Sequence, residues 1–233
     1  MPTISYSRVV DLTHALVPGI PVWPGDPAVE RKSVARRDRD GYNLHALSLG
    51  EHSGTHLGAP AHMVPEGRMM HEIPTGDLVL PAIVFDVRRE AEAWPDFQLR
   101  TEHVEAWERL HGTIPEGSVA LLCTGWQSRW RQESAYLGRD AIGNLHFPGF
   151  GTDATALMVQ QRRVKALGTD TAGIDPAVDR TFSANRILLG AGGFHLECLA
   201  NLDQLPPKGA TLVVGALKIA GGSGSPVRVL ALV

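Results

Sequence analysis

The sequence is poor in cysteine and has no long apolar run. Only two of its 233 residues are cysteines, Cys123 and Cys198, and they form no Cys-x-x-Cys pair. A disulfide framework and a thiolate zinc site are therefore not expected, and both thiols are predicted to pack in the interior. No apolar stretch approaches the roughly 18 residues of a membrane helix, and the N-terminus lacks a basic and apolar signal sequence. We therefore expect no membrane association and a cytoplasmic location.

The sequence also lacks an excess of positive charge. Lys and Arg together number 22 against 25 Asp and Glu, which gives a formal net charge of −3. Proteins that bind nucleic acid usually carry a basic patch, so no nucleic-acid partner is expected. The length and the 43% hydrophobic content are typical of one globular domain, which we predict to span residues 1–233.

Short strand-like runs outnumber the helical segments. Apolar and β-branched runs bounded by turn residues predict eight strands. They cover residues 8–12, 44–50, 82–87, 119–123, 164–168, 194–199, 210–219 and 226–233. One helix is predicted from Thr101 to just before Gly112 and a second from Thr152 to about Arg163, and Ser183 is predicted to cap a third. This mixture favours an α/β fold of the mixed α+β kind.

Residues 52–62 contain three of the ten histidines within eleven positions. Two glycines and a proline within this run exclude a regular helix, so we expect an extended segment. Side chains of an extended segment alternate between two faces, which would put His52, His56 and His62 on one side. Buried imidazoles need partners and glycines supply no packing, so a purely structural role explains the cluster poorly.

The histidine cluster predicts a metal site with a proton carrier beside it. Neutral imidazole suits Zn, Mn or Fe, and a catalytic zinc commonly has three protein ligands and an open position for water. A carboxylate would complete such a ligand set. Six histidines that stand alone are interpreted as structural residues: His14, His45, His71, His103, His111 and His146.

The cluster resembles the metal site of the cyclase family of metal-dependent hydrolases, which includes bacterial kynurenine formamidase and isatin hydrolase. The family pattern is His-x-Gly-Thr-His-x-Asp-x-Pro-x-His. The chain matches it at His52, Gly54, Thr55, His56, Pro60 and His62. Residues 21–26 are similar to the loop that closes on substrate, and residues 167–176 and 224–228 resemble later family segments. Glu197 falls where the family has a late metal-binding glutamate. The resemblance implies a single domain of swivelling β/β/α architecture.

Two positions depart from the family pattern. Gly58 stands where the formamidases have an aspartate that bridges two metals, and Asn185 replaces a histidine twelve residues before the late glutamate. Glycine offers no side-chain ligand, and an amide oxygen is a poor substitute for imidazole at zinc. What remains implies one divalent metal, Zn or Mn, held by His52, His56 and Glu197.

Three further residues have alternative roles at this stage. His195 lies two residues before Glu197, so on a strand both side chains point the same way. It is either a replacement ligand or a residue of a pocket wall or subunit contact. His62 is predicted to be the proton shuttle, with a further metal ligand as the alternative. Trp23 is predicted to stack on an aromatic substrate, with packing at a subunit interface as its alternative.

The resemblance implies a hydrolase that acts on the C–N bond of an amide. Metal-bound hydroxide would cleave an aryl formamide such as N-formylkynurenine or open a cyclic amide, with a lactone as the less favoured substrate. The expected partner is a small-molecule substrate, and relatives of this kind form homodimers or homotetramers. The competing hypothesis is a non-catalytic descendant of the family that binds a small ligand in the same pocket.

Overall fold

Twelve strands and six short α-helices occur along residues 3–233, the part of the chain that this computed structural model describes. The strands are β1 (Val9–Asp11), β2 (Glu30–Ala35), β3 (Leu44–Ser48), β4 (His56–Gly58), β5 (Val79–Asp86), β6 (Gln98–Leu99), β7 (Val119–Cys123), β8 (Gly149–Phe150), β9 (Ala166–Thr169), β10 (Phe194–Glu197), β11 (Lys208–Ala216) and β12 (Gly224–Leu232). The helices are α1 (Arg37–Asp40), α2 (Arg88–Ala93), α3 (Thr101–His111), α4 (Glu133–Tyr136), α5 (Thr152–Ala156) and α6 (Ser183–Gly190). A π-helical segment (Leu157–Gln161) continues α5, and a 3₁₀ turn (Pro60–His62) follows β4.

Seven of the strands close into a barrel. Neighbouring strands follow the order β12, β11, β5, β7, β9, β10 and β4, and β4 pairs again with β12. The strands β5, β7, β9 and β10 run parallel to one another, whereas the pairs that include β4, β11 or β12 are antiparallel. Closure depends on the length of β12, because one of its edges accepts β4 at residues 224–226 and β1 at residues 230–232.

Two layers of apolar side chains account for the hydrophobic runs of the sequence. The inner layer draws on all seven barrel strands and includes Leu121 and Leu196. The outer layer lies between the barrel and the helices α3, α5 and α6, and it includes Leu122 and Leu188. Successive side chains of β7 therefore enter opposite layers, and both faces of this strand are buried. For this reason Val119–Cys123 is apolar without polar alternation.

The predicted α/β fold class is confirmed, because the barrel and its helices form a mixed α/β architecture. All eight predicted strands occur, and each end lies within three residues of its predicted position. Three strands were not expected, namely β2, β6 and β8, whereas β4 falls within the segment that was predicted to be extended. The strand β2 forms a hairpin with β3 and carries the charged sequence Glu-Arg-Lys, and five of its six residues are exposed. Without a buried face it has no apolar alternation that a sequence could display.

The start of α6 differs from the prediction. The cap position is occupied by Phe182 in a left-handed conformation, and Ser183 is the first helical residue. The amide groups of this end are satisfied by carboxylates, since Asp179 accepts from Ser183 N and Asp175 accepts from Ala184 N. The prediction that Ser183 caps the helix is therefore wrong, because two acidic side chains from the preceding loop accept the hydrogen bonds of the free amides.

The predictions about cysteine and membrane helices can also be compared with the structure. Cys123 and Cys198 are both buried and unpaired, as expected. Across residues 3–233, every helix is too short or too polar to cross a lipid bilayer.

Candidate metal centre and active site

The histidine-rich segment is extended only in part. His56–Gly58 forms the strand β4, whereas His52 lies in a preceding turn and His62 ends the 3₁₀ turn that begins at Pro60. Gly54 adopts a φ of +64°, a left-handed conformation that breaks the extended path. The prediction of one continuous extended segment is thus wrong, because a positive φ and a proline-initiated turn bend the chain on both sides of β4.

The three imidazoles nevertheless converge, and a fourth joins them. The ring of His52 has its centroid 5.1 Å from that of His56 and 4.0 Å from that of His62. His195, on β10, lies 5.7 Å from His56 and 5.9 Å from His62. The bends around β4 therefore bring the rings together more tightly than a straight strand would.

Three of these imidazoles present their nitrogen atoms to one point. Potential ligand atoms of His52, His56 and His195 all lie within 4.8 Å of one another. The Nε2 atom of His195 is buried and has no hydrogen-bond partner within the described chain. A buried nitrogen without a partner is costly unless it binds something else, so this donor set fits a divalent cation that accepts imidazole.

Glu197 places a carboxylate beside two of these rings, although it is not among the three residues whose ligand atoms all lie within 4.8 Å of one another. Its Oε2 lies 3.3 Å from His56 Nε2, and its Oε1 lies 3.8 Å from His195 Nε2. Burial raises the pKa of this carboxyl, but His195, His56 and the Ile174 amide lower it further, to about 2. Glu197 is therefore ionised at neutral pH and can act as a ligand.

Hydrogen bonds fix the orientation of the ligand-forming rings. His56 Nδ1 donates to the Gly54 carbonyl at 2.9 Å, which leaves Nε2 facing Glu197. The Ser223 hydroxyl donates to Glu51 and so accepts from His52 Nε2 at 3.1 Å, which leaves His52 Nδ1 free. Partners of this kind orient the imidazoles of metal sites and set their tautomers.

Burial keeps most of these imidazoles neutral. It lowers the pKa of His52 to about 2 and that of His195 to about 4. The pKa of His62 is also lowered, because its ring is partly desolvated although the residue as a whole is exposed. For His56, burial lowers the pKa, but contacts with Cys198 and Glu197 raise it above its usual value. A cation would displace the proton shared by His56 and Glu197, and the other rings are already in the form that binds metals.

His62 differs from the other three rings in its exposure. His62 is exposed, whereas His56 and His195 are buried. It faces the cavity beside the cluster but does not belong to the group of three whose nitrogens converge. This position gives His62 contact with both the cluster and the cavity.

The cavity above the cluster has a volume of about 550 Å³. Trp23 forms part of its wall and contacts two further aromatic rings, Phe147 and Phe182, each with centroids 6.3 Å away. Arg180 and Asn144 also line the cavity and are joined by a hydrogen bond of 2.8 Å. A cavity that combines aromatic walls with polar and charged side chains suits a small aromatic molecule with polar groups.

Sequence reasoning identified part of this site and missed the rest. His52, His56, His62, Glu197 and Trp23 all lie around one cavity, and their individual roles stay predictions. The aromatic partners Phe147 and Phe182 were not anticipated, because nothing in their local sequence distinguishes them from core residues. The sequence left open whether His195 is a replacement ligand or a residue of a pocket wall or subunit contact. In the structure its ring lies beside His56 and within the group of converging ligand atoms.

A closed barrel with a cavity lined by histidines and a carboxylate is the combination expected of a metal-dependent hydrolase. Comparisons with known proteins point to the same class. The family described as "Putative cyclase" matches residues 10–176. Isatin hydrolase of Roseibium aggregatum is 37% identical over 243 residues, covering 97% of this chain and 92% of that protein. Kynurenine formamidase of Salinibacter ruber is 31% identical over 224 residues, covering 94% and 95%. The chain belongs to the cyclase family.

A solved structure supports the same relationship. Isatin hydrolase A from Labrenzia aggregata, bound to benzyl benzoate, superimposes with a TM-score of 0.91 at 37% identity. The match covers 97% of this chain and 93% of that chain. The fold of this chain is therefore that of a cyclase-family hydrolase.

Proposed function

We propose that this protein is a metal-dependent hydrolase that opens the C–N bond of a cyclic aryl amide of the isatin type. The observation that carries the proposal is the convergence of imidazoles and a carboxylate at the end of a cavity with aromatic walls. An aryl formamide such as N-formylkynurenine offers the same combination of ring and C–N bond and is the second candidate substrate. The relatives named isatin hydrolase and kynurenine formamidase support both.

The proposed cofactor is one divalent cation, Zn or Mn, held by His52, His56 and Glu197. When bound, such a cation supplies a Lewis acid that polarises a carbonyl and lowers the pKa of a water molecule toward about 7. Ionised Glu197 and neutral His52 have the charge states that this role needs. The aromatic wall around Trp23 would hold the aryl ring of the substrate against the cluster.

His62 is the proposed proton shuttle. Opening of the amide requires a proton to leave the attacking water and a proton to reach the nitrogen of the broken C–N bond, and a shuttle passes it from one to the other. The His62 ring lies 4.0 Å from that of His52 and also faces the cavity, so it can exchange protons with groups at the cluster and in the cavity.

The protein is further predicted to form a homodimer or homotetramer and to be located in the cytoplasm.

The proposal is tested by absorbance assays on isatin and N-formylkynurenine with metal-loaded protein. We expect turnover of isatin, and we expect His62→Ala to bind metal normally while its turnover falls about 10²- to 10⁴-fold. His56→Ala should lose the metal and the activity together. His45→Ala, on the exposed strand β3, is the matched control and should behave like the wild type.

Two results would contradict parts of this proposal. Loss of metal from His62→Ala would make that residue a ligand and not a proton carrier. If the metal-loaded wild type binds these molecules but hydrolyses neither, the protein is a ligand-binding descendant of the family or acts on a different bond.

A further inference from the structure

The position of His195 depends on the absence of a side chain at residue 58. The register of β4 and β10 places His195 directly opposite Gly58. A Cβ atom added to Gly58 would lie 2.0 Å from His195 Nε2 and 2.3 Å from its Cε1. Real Cβ contacts are never that short, so any larger residue at position 58 must expel this ring. An aspartate at position 58 and the observed imidazole at position 195 exclude each other.

The other departure from the family pattern holds the same ring in place. Asn185 Oδ1 lies 2.6 Å from His195 Nδ1, and Asn185 Nδ2 donates to Asp175 Oδ2 at 2.8 Å. Asp175 also accepts from the amides of Ala184 and Asn185. Because its carboxylate accepts the amide NH₂ group, Asn185 must turn its carbonyl oxygen to His195. His195 then donates through Nδ1, and Nε2 keeps its lone pair.

The free Nε2 atom of His195 lies within the candidate metal centre. His195 Nε2 is fully buried and unpartnered within the described chain, and it belongs to the group of ligand atoms within 4.8 Å of one another. We propose that His195 is a metal ligand that replaces the carboxylate missing at position 58. Gly58 makes room for the ring, and Asn185 is a positioning residue that acts through it. This inference rests on the metal centre of the proposed function.

The exchange changes the charge and the chemistry of the centre. Three neutral imidazoles and the single carboxylate of Glu197 leave a bound divalent cation with a net positive charge. A second carboxylate in place of His195 would cancel that charge. Imidazole suits zinc, whereas carboxylate ligands suit manganese and magnesium. The centre is therefore expected to take one zinc ion in preference to manganese.

The test is a cycle of substitutions measured by metal binding and not by activity. Zinc and manganese affinities are titrated against a chromophoric chelator for the wild type, Gly58→Asp, His195→Ala and the Gly58→Asp/His195→Ala double variant. We expect His195→Ala to weaken zinc binding more than about 100-fold, beyond the loss typical of residues outside the ligand set. Gly58→Asp should also weaken it, because the new side chain expels His195. The double variant should regain metal binding, with its preference shifted toward manganese.

The zinc affinity of Asn185→Ala and the visible spectrum of the Co²⁺-loaded protein are two independent measurements. Asn185→Ala should weaken zinc binding about 10- to 100-fold, as for other residues that orient ligands. The visible absorption of the Co²⁺-loaded protein should change in His195→Gln, which preserves the side-chain volume, and should stay unchanged in His45→Ala. Circular dichroism of the metal-free variants separates loss of a ligand from loss of the fold.

The outcomes distinguish this inference from the proposed function. Wild-type zinc affinity and an unchanged cobalt spectrum in His195→Ala and His195→Gln would overturn it, even if the enzyme hydrolyses isatin. Failure of the double variant to regain binding, although folded, would overturn the exchange with position 58. If the cycle gives the expected result but neither substrate is hydrolysed, the ligand assignment stands and the proposed function fails.

Discussion

At the scale of single residues, Trp23 is the proposed contact of an aryl substrate. It lies in the cavity wall, and its ring meets Phe147 edge-on and Phe182 at a tilt. Aromatic side chains contribute about 0.5–1.5 kcal/mol to such contacts beyond the area that they bury. A ring held in this way can present a fixed surface to an aryl substrate.

We expect Trp23→Ala to lower kcat/KM for isatin about tenfold, because about 1.4 kcal/mol of aromatic contact is lost in the bound complex. Metal content, measured by mass spectrometry, should not change, since the residue contacts no ligand of the cluster. Trp94→Ala is the matched control, because Trp94 is 57% exposed and lies outside the cavity wall. Unchanged kinetics in Trp23→Ala would remove the residue from the substrate site.

The helix α6 links the cavity to the candidate metal centre at the scale of elements. Its first turn carries Asn185, which orients His195, and the preceding loop supplies Phe182 to the cavity wall. Asp179 holds this start, because it accepts hydrogen bonds from the backbone and the hydroxyl groups of Thr181 and Ser183. Burial raises the pKa of Asp179, but these bonds lower it further, to about 2.

We expect Asp179→Ala to lower the free energy of unfolding by about 1 kcal/mol at pH 7, the typical effect of losing a helix cap. Because the pKa of Asp179 is lower in the folded state, its stabilisation is present above about pH 4 and is lost as the pH falls toward 2. Urea unfolding of wild type and variant between pH 7 and pH 2.5 measures this. Asp38→Ala, on the exposed helix α1, should change stability little at any pH. A deficit that stays constant down to pH 2.5 would show that the carboxylate charge contributes nothing.

At the scale of the whole molecule, the candidate metal centre lies where the barrel closes. His52 and His56 flank and begin β4, and His195 and Glu197 lie on β10, the strand that pairs with β4. The other edge of β4 pairs with β12, the last of the strands in chain order. A bound cation would therefore connect segments that are far apart in sequence at the strand that completes the barrel.

We expect zinc at 100 times its dissociation constant to stabilise the fold by about 2.7 kcal/mol, because it binds the folded state only. For a protein of this size that corresponds to an increase in Tm of roughly 5–10 °C. Calorimetry with and without a chelator measures the shift. The increase should be retained in His45→Ala and lost in His56→Ala. An identical Tm with and without metal would contradict a centre that connects β4 to β10.

The sequence by itself determined the features that depend on neighbouring residues. His52, His56 and His62 could be assigned to one site because they stand within eleven positions, whatever the path of the chain between them. The apolar run Val119–Cys123 predicted a strand, because a short apolar run bounded by turn residues is typical of one. The mixed fold class followed from the same patterns.

Only the tertiary structure decided the features that depend on contacts between distant segments. The sequence presents Gly58 and Asn185 as two losses, and their common consequence appears only when β10 lies against β4 and brings His195 into the space above Gly58. The cavity wall likewise combines Trp23 with Phe147 and Phe182, which no local pattern relates. The physical reason is that side-chain packing and donor direction depend on strand register and helix placement, and these are properties of the folded chain as a whole.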